Sequence, residues 1–192
     1  MATKATIYKA TLQLADMDRN AYGDYPVMIA RHPSETDERM LIRMLAFALN
    51  VPASDDEGAL EFAKDMWDAD EPGLWQKDLT GRIVHWIEIG QPDEKRLLKA
   101  SSRAGRVSVY SFSSSTAIWW SGIATKVTRA QNLVVWQVPS EQSQSLAGLA
   151  QRSMTLQITV QDGATWVGDG NHSIEVTPEL LYGDPNSSRE SR

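Results

Sequence analysis

A carboxylate sits where the chain is most apolar. Glu88 lies in Arg82-Ile-Val-His-Trp-Ile-Glu-Ile-Gly90, a β-branched and aromatic run unsuited to a surface loop. A carboxylate facing inward from such a run must find a cation or a proton, because an unpaired buried charge is too costly. Asp70 and Glu71 precede it, followed by Pro72. Lys95 and Lys99 follow it, in the segment Gln91 to Lys99 that starts a helix. Acid, acid and then lysine around one hairpin is an arrangement that can hold a divalent metal beside a phosphate.

The rest of the composition narrows the setting. At 192 residues the chain reads as one domain, over 1–182, with a polar, disordered tail over 183–192. It has no cysteine, which removes disulfides and thiolate metal sites and fits a reducing, cytoplasmic setting. No stretch has the roughly 20 apolar residues of a spanning helix, so no membrane partner is expected. Residues 54–71 carry eight acids against Lys64 alone, a local −7 that exceeds the whole chain's −6 and leaves +1 elsewhere. The acidity is therefore local, and a charged partner responds to local fields more than to the total.

The elements that must position these groups follow from hydrophobic periodicity. Residues 3–15 alternate as a strand, Asp16 to Asn20 turn, and Tyr22 to Arg31 return as the hairpin partner. Ser34 reads as the N-cap of a helix, with Asp37 in the capping-box position. Leu41, Met44, Leu45 and Ala48 form its buried stripe, and Asn50-Val-Pro52 ends it. Residues 59–66 read as a strand, Leu74 to Lys77 as another, and Arg82 to Ile89 as a strong one after a Thr80-Gly81 turn. Pro92 opens a helix that Gly105 stops. Then come a strand to Phe112, a helix carrying Trp119 and Trp120, a strand over 131–138 and a helix over 140–151. A meander closes the pattern, turning at Asp162-Gly163 and Asp169-Gly170. Helix, three strands, helix, strand in the middle predicts an α/β (α+β) fold, a mixed sheet flanked by helices.

That order resembles the core of the PD-(D/E)XK nuclease-like superfamily, the restriction-endonuclease-like core. More narrowly, the chain resembles the YaeQ family of bacterial proteins over nearly its whole length. The match is carried by Arg31-His-Pro-Ser-Glu-Thr36 with Glu38-Arg39-Met40, Asp70-Glu-Pro72 with Trp75, Trp86-Ile-Glu88 with Gly90, Pro92-Asp93-Glu94, Met154-Thr-Leu-Gln157 and Gln161-Asp-Gly163. The resemblance implies the nuclease-like core with an added N-terminal hairpin and C-terminal meander. It brings no established reaction. The superfamily pattern wants an acid, then acid-x-lysine. Glu88 matches the second acid, but the lysine position is Gly90. Some members move that lysine to the following helix, where Lys99 is the candidate and Lys95 lies one turn earlier.

Hairpin geometry selects the acid that partners Glu88. A turn at Thr80-Gly81 sets Glu88 opposite residue 73, so Asp78 falls about 17 Å away at roughly 3.4 Å per residue. Asp70 is preferred, then Glu71, then Asp78. With Glu88 these would hold Mg²⁺ or Mn²⁺, and Glu35 or Glu38 would add a ligand from the first turn of the preceding helix, as the resemblance implies. Lys95, Lys99 and Arg103 recur every four residues, with Arg106 near the helix end, and would track a nucleic-acid backbone.

Two functions are expected from this set. One is a metal-dependent phosphodiesterase, a nuclease-like hydrolase on nucleic acid. The other is a module that kept the fold, lost turnover and binds nucleic acid or protein. Gly90 and the acidic total favour the second; the retained acids and the basic stripe favour the first. His32 could be a ligand or base, but it precedes a proline at a helix entry and more simply shapes that turn. His85 and His172 stand alone, without a second histidine at metal spacing. Trp119-Trp120 reads as core packing.

Overall fold

A computed structural model describes residues 4–186. The chain opens with the hairpin of β1 (Thr6–Asp16) and β2 (Ala21–Arg31), paired from Thr6↔Arg31 to Asp16↔Ala21. Helix α1 (Asp37–Asn50) follows. Its N-cap is Thr36, whose Oγ1 accepts from the Arg39 N–H at 3.1 Å, and not the expected Ser34. Ser34 is consumed earlier: its N–H donates to His32 Nδ1 at 3.0 Å, while the Glu35 N–H donates to the His32 carbonyl at 2.9 Å. The two turns postpone the helix by two residues. The expected stripe of Leu41, Met44, Leu45 and Ala48 is buried.

Strand β3 is only Leu60–Phe62. The strand expected over 59–66 breaks at Asp65, which adopts φ 54° and opens a 3-10 turn over Asp65–Trp67. β4 (Leu74–Lys77) and β5 (Ile83–Ile89) form the hairpin that carries Glu88, in the register Leu74↔Ile87 and Trp75↔Trp86. Continuing that register sets Glu88 opposite Gly73, as the turn arithmetic requires. Helix α2 (Glu94–Arg103) starts on the Asp93 side chain, which accepts from the Arg96 N–H at 2.8 Å. It stops before Gly105, which lies inside β6 (Ala104–Ser111). That glycine answers a close approach: a Cβ there would stand 3.0 Å from the Val84 carbonyl oxygen. Then come α3 (Thr116–Ile123), β7 (Leu133–Gln137), α4 (Ser140–Ala147), β8 (Ser153–Gln161), β9 (Ala164–Gly168), β10 (Ser173–Val176) and β11 (Glu179–Tyr182).

The strands make two mixed sheets. One is ordered β10-β9-β8-β1-β2 and the other β11-β7-β6-β5-β4-β3. The first hairpin and the closing meander are one sheet, joined by parallel pairing of β1 with β8 at Leu12↔Leu156. In the other sheet β5, β6 and β7 run parallel, through crossovers that contain α2 and α3. Alternation along β5 divides the core. Ile87 and Ile89 pack with α1 and the five-stranded sheet, while Trp86 packs with α2 beside Val107 and Val109. The tail read as disordered begins inside the described part. Gly183 lies so near Leu133 that a Cβ would meet its carbonyl oxygen at 2.2 Å. Residues 187–192 of that expectation lie outside the described residues. No helix among the described residues is long and apolar enough to cross a membrane.

Candidate functional site

Glu88 and Trp86 alternate onto the α2 face of β5, and Glu88 is 6% exposed. Its Oε1 accepts from Trp86 Nε1 at 2.7 Å and from Arg96 Nε at 2.6 Å. The same guanidinium donates to the carbonyl oxygens of Ala69 and, at 2.8 Å, Glu71. One arginine of α2 thus ties the buried carboxylate to the main chain on both sides of Asp70. Burial pushes the Glu88 pKa up; the Arg96 charge and the Trp86 N–H pull the other way.

The other expected ligands point elsewhere. Asp70 is 80% exposed in its side chain and, among the described residues, meets Lys99, whose Nζ is 3.4 Å away. Glu71 Oε2 accepts from the Lys64 N–H at 2.7 Å and closes its own loop. Asp78 accepts from the Thr80 N–H, the Thr80 hydroxyl and the Arg82 N–H, which pulls its pKa down and makes it the turn-former of the β4–β5 hairpin. Glu38 accepts from Ser143 Oγ at 2.6 Å and fastens α1 to α4.

Glu35 belongs to a buried network at the end of β5. Arg43 Nε and Nη2 donate to it at 2.8–3.0 Å, and Arg39 Nη1 at 3.2 Å. Arg39 also grips Asp65 at 2.6 and 2.9 Å and reaches the Ile89 carbonyl oxygen at 3.3 Å. Arg43 lies 3.4 Å from Asp65, so two carboxylates and two guanidiniums close on themselves. Burial raises the Glu35 pKa against the pull of Arg43 and Arg39. The network feels Glu88: Asp65 helps to raise the Glu88 pKa, and Glu88 helps to raise that of Arg39.

On α2, Lys95 is exposed and has no partner among the described residues. Arg103 sets its guanidinium over the Trp86 ring, 5.4 Å from the centroid. Arg106 does not continue that stripe. It belongs to β6 and faces the opposite side of the sheet, because the strand replaces the last expected helical turn. His32 braces its turn and stacks edge-on to Trp67. His85 is buried against Ser108 and Arg106, and burial holds its pKa well below the ordinary histidine value. His172 is exposed beside Asp169. Trp119 donates to the Pro92 carbonyl oxygen, and Trp120 packs on Tyr182.

The cations that organise the site, Arg39, Arg43 and Arg96, were not among the sequence candidates, and neither was Asp65. A signal for one existed: Arg43 stands between Ile42 and Met44 in the buried stripe and needs an acid. Arg39 and Arg43 are spaced by four along one face of α1, and Glu35 lies four residues before Arg39, just ahead of the N-cap. Among the described residues no three His, Asp or Glu side chains gather to hold a metal ion. Glu35 and Glu88, the buried acids of the candidate set, each meet a guanidinium.

Fold and site together define a mixed α+β protein of two sheets flanked by helices, with its inward-facing carboxylates closed by arginines. The family model described as YaeQ protein matches residues 1–178, and the chain belongs to the YaeQ family. It is 42% identical over 177 residues to the protein described as "Uncharacterized protein YaeQ" of Escherichia coli (strain K12), covering 92% of this chain and 95% of that one. The protein of the same description from Salmonella typhi is equally similar, with the same coverage. The crystal structure of YaeQ from Xanthomonas axonopodis pv. citri aligns with a TM-score of 0.87 at 38% identity, covering 94% of this chain and 100% of that one. That of YaeQ from Pseudomonas syringae aligns with 0.86 at 36% identity, covering 94% and 97%.

Proposed function

We propose that this chain is a binding module on a PD-(D/E)XK nuclease-like core, one that engages nucleic-acid phosphates without hydrolysing them. The single observation that carries the reading is Arg96 Nε at 2.6 Å from Glu88 Oε1. A guanidinium stands where catalysis by this core would need a cation with open coordination positions. The binding surface is the outer face of α2. Lys95 has no partner there among the described residues, Lys99 is 63% exposed in its side chain, and Arg103 rests on Trp86. Three cations at helical spacing suit a backbone track.

The test is fluorescence anisotropy of labelled single-stranded DNA and RNA against salt. Three phosphate contacts give a slope of log K against log salt of about −2 on a single strand. Lys95→Ala with Lys99→Ala reduces that slope by about 1.4. Salt-independent binding, or none, rejects the surface. Cleavage of the probe rejects the non-hydrolytic part.

A second reading, phosphodiester hydrolysis with Mg²⁺ or Mn²⁺, is favoured by one contact. Lys99 meets Asp70 at 3.4 Å, and these are two of the residues the superfamily pattern would use. It requires Arg96 to leave Glu88.

A further inference from the structure

One cavity belongs to none of this. It has a volume of about 440 Å³ and lies between the end of the five-stranded sheet and strands β6 and β7. A cavity of this size suits a small organic molecule. Its walls mix apolar side chains, Trp136 among them, with a row of polar ones from a single strand: Arg106, Ser108 and Tyr110. These are alternate residues of β6, so they share one face, roughly 6.6 Å from one to the next.

Each of the three has hydrogen-bonding capacity left. Asn50 Nδ2 donates to the Ala46 carbonyl oxygen at 2.7 Å and to Tyr110 Oη at 2.8 Å, so Tyr110 accepts there and keeps its own proton to give. His85 is neutral. Arg106 Nη2 lies 3.2 Å from its Nδ1, and Ser108 Oγ lies 2.8 Å from its Nε2. Arg106 Nε also lies 3.4 Å from Nε2, so the guanidinium faces both ring nitrogens and the direction of the Ser108 bond follows the tautomer.

Arg106 completes the row. It forms no ion pair among the described residues; its partners are the His85 ring and the Pro185 carbonyl oxygen, at 3.2–3.5 Å. The carboxylates nearby are committed. Asp16 is bound by Arg19 at 2.7 Å, and Asp18 accepts from the Asp162 and Gly163 N–H groups at 2.8 and 2.9 Å. Burial lowers the pKa of Arg106, and the Arg19 charge adds to the effect. An anion brought to this guanidinium relieves both.

We propose that this cavity is a binding site for a small organic oxyanion, a carboxylate or phosphate monoester on a flat apolar body. Arg106 and Tyr110 donate to the charged group, Ser108 lies between them on the same face, and Trp136 packs against the body. The site is on the opposite sheet face from α2 and is independent of nucleic-acid binding.

Benzoate, phenyl phosphate and the neutral isostere benzamide are titrated into the ¹⁵N-labelled full chain, following the Trp136 indole signal assigned with Trp136→Phe. Saturable shifts with either anion and none with benzamide support the site, and the tighter anion names the headgroup. Arg106→Gln weakens that anion by at least about tenfold, while Lys95→Glu leaves it unchanged. Should Arg106→Gln fail to fold, Tyr110→Phe supplies the comparison, with a weakening of about threefold or more. No saturable shift at Trp136, equal binding of benzamide, or undiminished binding in the folded variant overturns the proposal.

Discussion

Arg96 Nε stands 2.6 Å from Glu88 Oε1 across the β5–α2 connection, and the rest of the guanidinium holds the Ala69 and Glu71 carbonyl oxygens. One side chain thus fixes a helix, a strand and a loop relative to each other. Arg96→Ala removes the cation and leaves Glu88 charged and buried. The expected loss is about 3 kcal/mol, at the lower end for broken buried pairs because Arg96 is itself 30% exposed. Glu88→Gln keeps the shape and a hydrogen-bond acceptor and costs less, about 1–2 kcal/mol. Urea denaturation of both variants measures the order, and a larger loss in Glu88→Gln contradicts it.

Divalent metal gives a second prediction. With Glu88 and Glu35 both held by arginine, millimolar Mg²⁺ or Mn²⁺ leaves the unfolding midpoint of the wild type where EDTA leaves it. Binding at 100 times the dissociation constant would add about 2.7 kcal/mol, which is several degrees in midpoint. A metal-dependent rise that Glu88→Gln abolishes contradicts the arginine-closed site and favours the hydrolase.

A third prediction concerns pH. Glu88 and Glu35 have pKa values raised above their ordinary 4.5, burial being the main cause in each. A raised folded-state pKa means that the native chain holds protons the unfolded chain releases. The stability these two groups contribute is complete below pH 4.5 and is lost as pH rises through the raised values. Asp78 and Asp169 have pKa values lowered beneath 3.8 by hydrogen bonds, so their contribution is lost as pH falls through the lowered values. The two pairs act in separate windows. Thermal unfolding of Glu88→Gln between pH 4 and 7 shows a shallower decline than the wild type; parallel curves refute the assignment.

Most elements were legible in the sequence because their signals are local. The β4 and β10 boundaries follow from turn residues and alternation, and the Glu88 register follows from the Thr80-Gly81 turn. What escaped depends on distant partners. The hairpin and the meander share a sheet only because Leu12 pairs with Leu156. Gly105 looks like a helix stop but serves the approach of Val84. β11 is four residues with no repeated alternation, defined by its pairing with β7. The candidate site divided the same way. Its acids stand out as charges in apolar or turn-rich runs, whereas Arg96 is one basic residue among several on an amphipathic helix, and only the fold turns it toward Glu88.

The last prediction separates two acids on either side of the α1 N-cap. Glu35 is 5% exposed and held by both Arg43 and Arg39, whereas Glu38 is partly exposed and accepts one hydroxyl from α4. Glu35→Ala leaves Arg43, itself 3% exposed, with the 3.4 Å contact to Asp65 as its remaining ion pair among the described residues, and costs about 3–5 kcal/mol. Glu38→Ala loses one hydrogen bond and costs about 1 kcal/mol. If either acid served mainly as a metal ligand, removing it would change chain stability little without metal and abolish a metal-dependent gain. Urea denaturation in EDTA distinguishes the cases: a large loss for Glu35→Ala and a small one for Glu38→Ala identify the first as a core ion pair and the second as a clasp between α1 and α4. Equal small losses would reopen Glu35 as a ligand.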